Sequence, residues 1–213
     1  MKNYGKVTLG LIAAWFLAAL TVAELGWLQN PANGFGAGVA IAASVPLIVF
    51  VVWAAASRGF REFLLSLDPR ILTAAQTWRL LGFVFVLLEA RNLLPGVFAL
   101  PAGYGDMAIG ATATLVAWQL AKPEQRGAFI FWQVLGITDL VAAVSLGVTA
   151  PLLQPEGPTT GLMTVLPLSL IPTFLVPLFL IFHVIAIAQA RKWRVVTRQS
   201  GERVLRTAPH VAL

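Results

Sequence analysis

Three ionisable side chains, Arg79, Asp139 and His183, stand inside long apolar runs. Charges in hydrocarbon are costly, so such residues are read first as functional. Trp132, Gly136, Asp139, Ala143 and Gly147 recur every three or four residues and so share one helical face. That face is made of small residues suited to close helix packing, which turns Asp139 into a bundle. At about 1.5 Å per residue Asp139 lies roughly 18 Å above the start of its span, near the middle of a core about 30 Å thick. It suits a protonated structural pin or a site that handles a proton or cation. A second group gathers towards the opposite membrane surface: Glu24, Glu89, Arg91 and Asp106. It reads as an ion-pair cluster at headgroup level, or as an acidic vestibule attractive to cations. Arg79, Gln133 and His183, with Gln76 nearby, form an inner polar layer in which Arg79 is shallow enough to snorkel. The only other histidine is His210 and the chain has no cysteine, so no metal site, haem or other cofactor is expected.

Gly103-Tyr104-Gly105-Asp106 has the letters of a potassium-channel filter tail and of the Gly-x-Gly-Asp signature of intramembrane aspartyl proteases. Pro101-Ala102 stand where the filter needs Thr-Val, and the interval before the motif is too short for a pore helix. The protease reading needs a second carboxylate close enough to share a proton. Asp139 is the remaining candidate, one helix away and deeper by about 10 Å on the helical rise. The simpler expectation is a glycine turn at Gly103 and Gly105, with Asp106 as the N-cap of the following helix. No residue set identifies a catalytic role.

The elements that must hold these residues are membrane helices. The chain of 213 residues is 58% hydrophobic and 11% charged, too apolar for a soluble domain of this size. Runs near the ~20 residues needed to cross hydrocarbon give six spans. They cover roughly 7–28, 36–57, 72–92, 106–121, 128–149 and 166–190, with ends good to a few residues. The alternating pattern of a membrane β-barrel is absent. The first run is read as a retained helix rather than a cleaved leader.

The net charge of +6 follows topology and not nucleic acid. Lys2, Lys6, Arg58, Arg61, Arg70, Lys122, Arg126 and six bases from Arg191 to Arg206 all fall on one side. The alternate loops 29–35 and 150–165 hold none, which sets both termini in the cytoplasm. Trp53, Trp78, Trp118, Trp132 and Trp193 lie near that same interface.

The expected fold is an all-α integral membrane protein, a six-transmembrane-helix bundle of three antiparallel hairpins, N-in and C-in. Residues 1–190 would form the transmembrane domain and 191–213 a basic cytoplasmic tail. Trp78-Arg79-Leu80-Leu81-Gly82 and Trp132-Gln133-Val134-Leu135-Gly136 suggest a parallel duplication, as do Val45-Pro46-Leu47 and Val176-Pro177-Leu178. Pro167, Pro172 and Pro177 predict a kinked or discontinuous last span. The functional expectation is a small inner-membrane protein, bacterial in type, that binds or transports a small solute, ion or proton. Its partners would be membrane lipids and that solute, with a homo-oligomer as a further expectation and nucleic acid excluded. The alternatives are a membrane-embedded enzyme, proteolytic or lipid-modifying, and a non-catalytic scaffold or subunit.

Overall fold

The computed structural model describes residues 2–30 and 34–193. Among them there is helix and no strand, as hydrocarbon demands of any chain that must satisfy its own backbone. Five helical segments are long and apolar enough to cross a membrane: Asn3–Glu24, Ala37–Ala56, Pro69–Glu89, Pro123–Leu153 and Ile171–Arg191. The first two are the regular helices α1 (Lys2–Glu24) and α2 (Ala37–Ala56).

A short helix, α3 (Arg58–Ser66), follows where the sequence suggests only a loop. Ser57 caps it by accepting from the Phe60 amide, and its apolar side buries Phe60 and Leu64. The Pro69–Glu89 segment is composite. Helix α4 (Pro69–Ala74) is capped by Asp68, a 3₁₀ stretch covers Ala75–Gly82, and α5 (Phe83–Glu89) completes it. A 3₁₀ stretch this long inside a helix is uncommon and tends to mark a functional or strained place.

The next helix corrects the expected fourth span. Helix α6 runs Gly96–Gln119, so it starts about ten residues before the expected 106–121, and Gly103-Tyr104-Gly105-Asp106 lies inside it. The stretch makes no turn. Pro101 is exposed and its missing donor is tolerated, as is usual for Pro and Gly in membrane helices. Ala99, Gly103, Asp106, Gly110, Ala113 and Ala117 form one stripe, and all but Asp106 are buried. A stripe of small residues lets neighbouring backbones come close. This helix is the centre of the molecule, packed on the 3₁₀ stretch, α4, α5 and α7 (Arg126–Leu153). Its Gly, Tyr and Asp content keeps it out of the five most apolar segments.

The last span is interrupted, as its prolines suggest. A 3₁₀ turn at Thr160–Thr164 leads to a π-helical turn at Ile171–Leu175 and then to α8 (Val176–Arg191). Pro177 supplies no amide to the carbonyl four residues back, that of Thr173. The indole Nε1 of Trp15 on α1 donates to that carbonyl instead, at 3.1 Å. Thus α1 is tied to the irregular turn and packs there and on α3.

The regular hairpin expected of α1 and α2 is absent along its middle. The two helices converge at one end through Ala23, Leu28 and Val39, and at the other through Tyr4, Trp53 and Phe60. Between these ends they part around a cavity of about 900 Å³. The suspected repeats are dissimilar in place. Trp78 is exposed on the 3₁₀ stretch, whereas Trp132 is buried on the regular helix α7. Pro46 lies inside α2, whereas Pro177 follows the π turn. The basic tail beyond Trp193 lies outside the described residues.

Candidate functional site

Arg79 is where α6, α7, α8 and the 3₁₀ stretch meet. Its guanidinium donates from Nε to Asp106 Oδ1 of α6 at 2.6 Å and from Nη2 to Asp139 Oδ2 of α7. Its Nη1 faces the carbonyl of Gly136 at 3.2 Å and Nε2 of His183 on α8 at 3.3 Å. Four of its five N–H groups are therefore directed at partners from three helices, which is the fork geometry that distinguishes arginine from lysine.

The same bonds settle the histidine tautomer. Arg79 can only donate, so His183 Nε2 accepts and the ring proton sits on Nδ1. The Nδ1 partner is Gln133, which must then present Oε1 and is left to donate from Nε2 to Thr73 Oγ1 at 2.9 Å. One directional chain of donors thus runs from Arg79 through His183 and Gln133 to Thr73 on α4. Gln76 donates beside it to the Phe179 carbonyl at 3.3 Å, and its Oε1 is buried without a partner.

Glycine makes the convergence sterically feasible. A Cβ on Gly105 would collide with Oδ1 of Asp139 and lie 2.7 Å from its Cγ. One on Gly82 would lie 2.5 Å from Cβ of Asp106, and one on Gly136 would strike the His183 ring. Small residues here make room for charged side chains as well as for backbones.

Five of the eight expected site residues come together: Arg79, Asp106, Asp139, His183 and Gln133. Three do not. Glu24 ends α1 in an exposed position, Glu89 ends α5 with its carboxylate against Gly96, and Arg91 is exposed with no ion pair among the described residues. The outer cluster of Arg91 with Asp106 is therefore replaced by an inner one. Asp106 is no N-cap, because α6 begins at Gly96, about 15 Å earlier on the helical rise. Arg79 does not snorkel. It is 3% exposed, since a start at Pro69 and the longer 3₁₀ rise carry it about 17 Å into its span. The depth difference expected between Asp106 and Asp139 vanishes, since both reach one guanidinium. Thr73 carries no sequence signal of its own and joins through Gln133.

The electrostatics are unbalanced. One guanidinium faces two carboxylates, so with both ionised the trio carries one uncompensated negative charge in a low-dielectric setting. The Arg79 side chain is 1% exposed, while those of Asp106 and Asp139 are 13% and 18% exposed. The carboxylates form the accessible side of the cluster and the guanidinium its closed back. Among the described residues no three His, Cys, Asp or Glu side chains gather as a metal site. A proton on one carboxylate would balance the trio, which lies beside a polarised hydrogen-bond chain.

No curated protein and no solved structure matches the chain. A family match covers residues 35–191, from the approach to α2 to the end of α8, and includes every member of the Arg79 cluster while leaving α1 outside it. The chain belongs to the family described as Domain of unknown function (DUF8737).

Proposed function

We propose that this multi-pass membrane protein binds and moves a proton or a small monovalent cation through the Arg79–Asp106–Asp139 cluster. The observation that carries the reading is the charge imbalance: two partly accessible carboxylates share one buried guanidinium. A site one positive charge short of neutrality inside hydrocarbon is stabilised by taking one up. His183, Gln133 and Thr73 extend it as a chain of groups able to reorient with the charge. In this reading α6 is a sixth span, with its small-residue stripe packed on its neighbours and Tyr104, Leu115 and Trp118 on an exposed face. The bases of the two ends and of the second and fourth loops then face the cytoplasm, with the site opening through the carboxylate side. A bacterial inner membrane fits that charge distribution.

The test is flux through the full chain in liposomes after an acid jump, and separately after a sodium or potassium jump. The expected result is a proton or cation leak above that of protein-free vesicles, abolished by Asp139→Asn and by Asp106→Asn. Fluxes equal to protein-free vesicles under all three gradients would overturn transport. A second reading, the non-catalytic scaffold, is favoured by the extent to which Arg79 is engaged. It predicts that the same variants lower thermal stability and leave flux at background. The aspartyl-protease alternative is weakened because the two carboxylates bind a guanidinium between them, where that chemistry needs a shared proton.

A further inference from the structure

The parting of α1 and α2 leaves a groove of about 900 Å³, walled also by α3 and α8. Thr8, Trp15 and Val22 line it from α1, and Gly38, Val45 and Trp53 from α2. From Gly5 to Val22 it extends about 26 Å along the helical rise, most of the ~30 Å hydrocarbon thickness. Its volume is that of a ligand pocket, commonly about 300–1,000 Å³. The walls are almost wholly apolar, so the occupant is a hydrocarbon chain.

One end of the groove says what kind of molecule bears that chain. Trp53 stacks on Phe60 at 3.8 Å, Tyr4 and Phe63 close around them, and these rings make a floor. Tyr4 Oη lies 3.4 Å from Ser57 Oγ, which brings the start of α1 to the start of α3. Arg58 and Arg61 are exposed on α3 beside this floor, and Arg58 is paired with Glu62 at 3.0 Å. Arg61 is fixed in place, because its Nη1 donates to the Ala54 and Ala55 carbonyls at 2.7 Å each. The remaining guanidinium N–H groups are free for an anion.

We infer that the groove binds one anionic glycerophospholipid, with an acyl chain between α1 and α2 and the phosphate at Arg61. A second copy of the chain suits it less well. Copies sharing one membrane orientation would pair rim to rim across an isologous contact, bringing like charges together.

Native mass spectrometry of the detergent-solubilised full chain, with dioleoyl-phosphatidylglycerol or dioleoyl-phosphatidylcholine added, tests this. The expected result is one tightly retained phosphatidylglycerol and weaker phosphatidylcholine. Arg61→Gln should reduce the preference about five-fold, the equivalent of about 1 kcal/mol for one base. Arg61→Lys, which keeps the charge, should retain most of it. Val45→Trp, filling the groove, should lower retention of both lipids, with thermal unfolding confirming that each variant is folded. Equal retention of the two lipids, or a preference unchanged in Arg61→Gln, would overturn the headgroup assignment. Retention unchanged by Val45→Trp would overturn the groove as the site. A dimer mass lost in Val45→Trp would assign the groove to a second copy instead.

Discussion

Gly105→Ala sets two effects of known size against each other. In a helix interior alanine is favoured over glycine by about 1 kcal/mol, so on α6 alone the change should stabilise. At Gly105, however, the new methyl group meets the Asp139 carboxylate, with Cγ only 2.7 Å away. Cγ is one bond from the Asp139 Cβ, so relief requires rotating the whole carboxylate, and that rotation takes it off Arg79. Breaking one arm of a buried ion pair costs about 3–5 kcal/mol. The net expectation is a loss of about 2–4 kcal/mol, or a Tm lowered by roughly 4–16 °C for a chain of this length. Thermal unfolding in detergent, followed by circular dichroism, measures it. Two companions isolate the cause. Gly127→Ala, with nothing within 4 Å of its added Cβ, should show only the helix gain. Gly105→Ala combined with Asp139→Ala should cost less than the sum of the two alone, because the clash has lost its partner. A Gly105→Ala protein as stable as the parent would refute the argument that glycine here serves to admit the carboxylate.

Arg79→Lys should be nearly as damaging as removal of the charge, at about 3–5 kcal/mol. A single ammonium cannot reach Asp106, Asp139, Gly136 and His183 together, and a Tm within about 2 °C of the parent would contradict this. Trp15→Phe keeps the ring contact with Phe174 but removes the donor to the Thr173 carbonyl, at about 1–3 kcal/mol. Hydrogen exchange should rise in α1 and in residues 171–175. Pro177→Ala restores an amide facing that carbonyl, so Trp15→Phe should cost measurably less in its background. Equal cost in both backgrounds would detach Trp15 from the proline.

The membrane class was legible because hydropathy is a sum over many residues and survives errors at any one. Asp106 was misread for the opposite reason, since one turn rested on two glycines and a proline. In water those residues are breakers; in hydrocarbon an unpaired backbone is so costly that the helix continues through them. The signal that could have placed Asp106 was present in the stripe of Ala99, Gly103, Gly110, Ala113 and Ala117, which has Asp106 in its line. The composite winding of Pro69–Glu89 has no such signature, and together with the earlier start at Pro69 it moved Arg79 from a shallow to a deep position. The partnership of Thr73 with Gln133 depends on how two helices are rotated against each other, which spacing along one chain does not encode.

The 3₁₀ stretch makes the ion cluster sensitive to thread. Residues advance by about 120° and 2.0 Å in a 3₁₀ helix, against about 100° and 1.5 Å in an α-helix. Rewinding Ala75–Gly82, eight residues, into α-helix would shorten the span by about 4 Å. Over the four steps from Ala75 to Arg79 it would also turn the arginine by about 80° around the axis, away from both carboxylates. A change of pitch in this one segment is thus a screw stroke. It would withdraw the guanidinium and leave Asp106 and Asp139 facing each other across the gap it had filled.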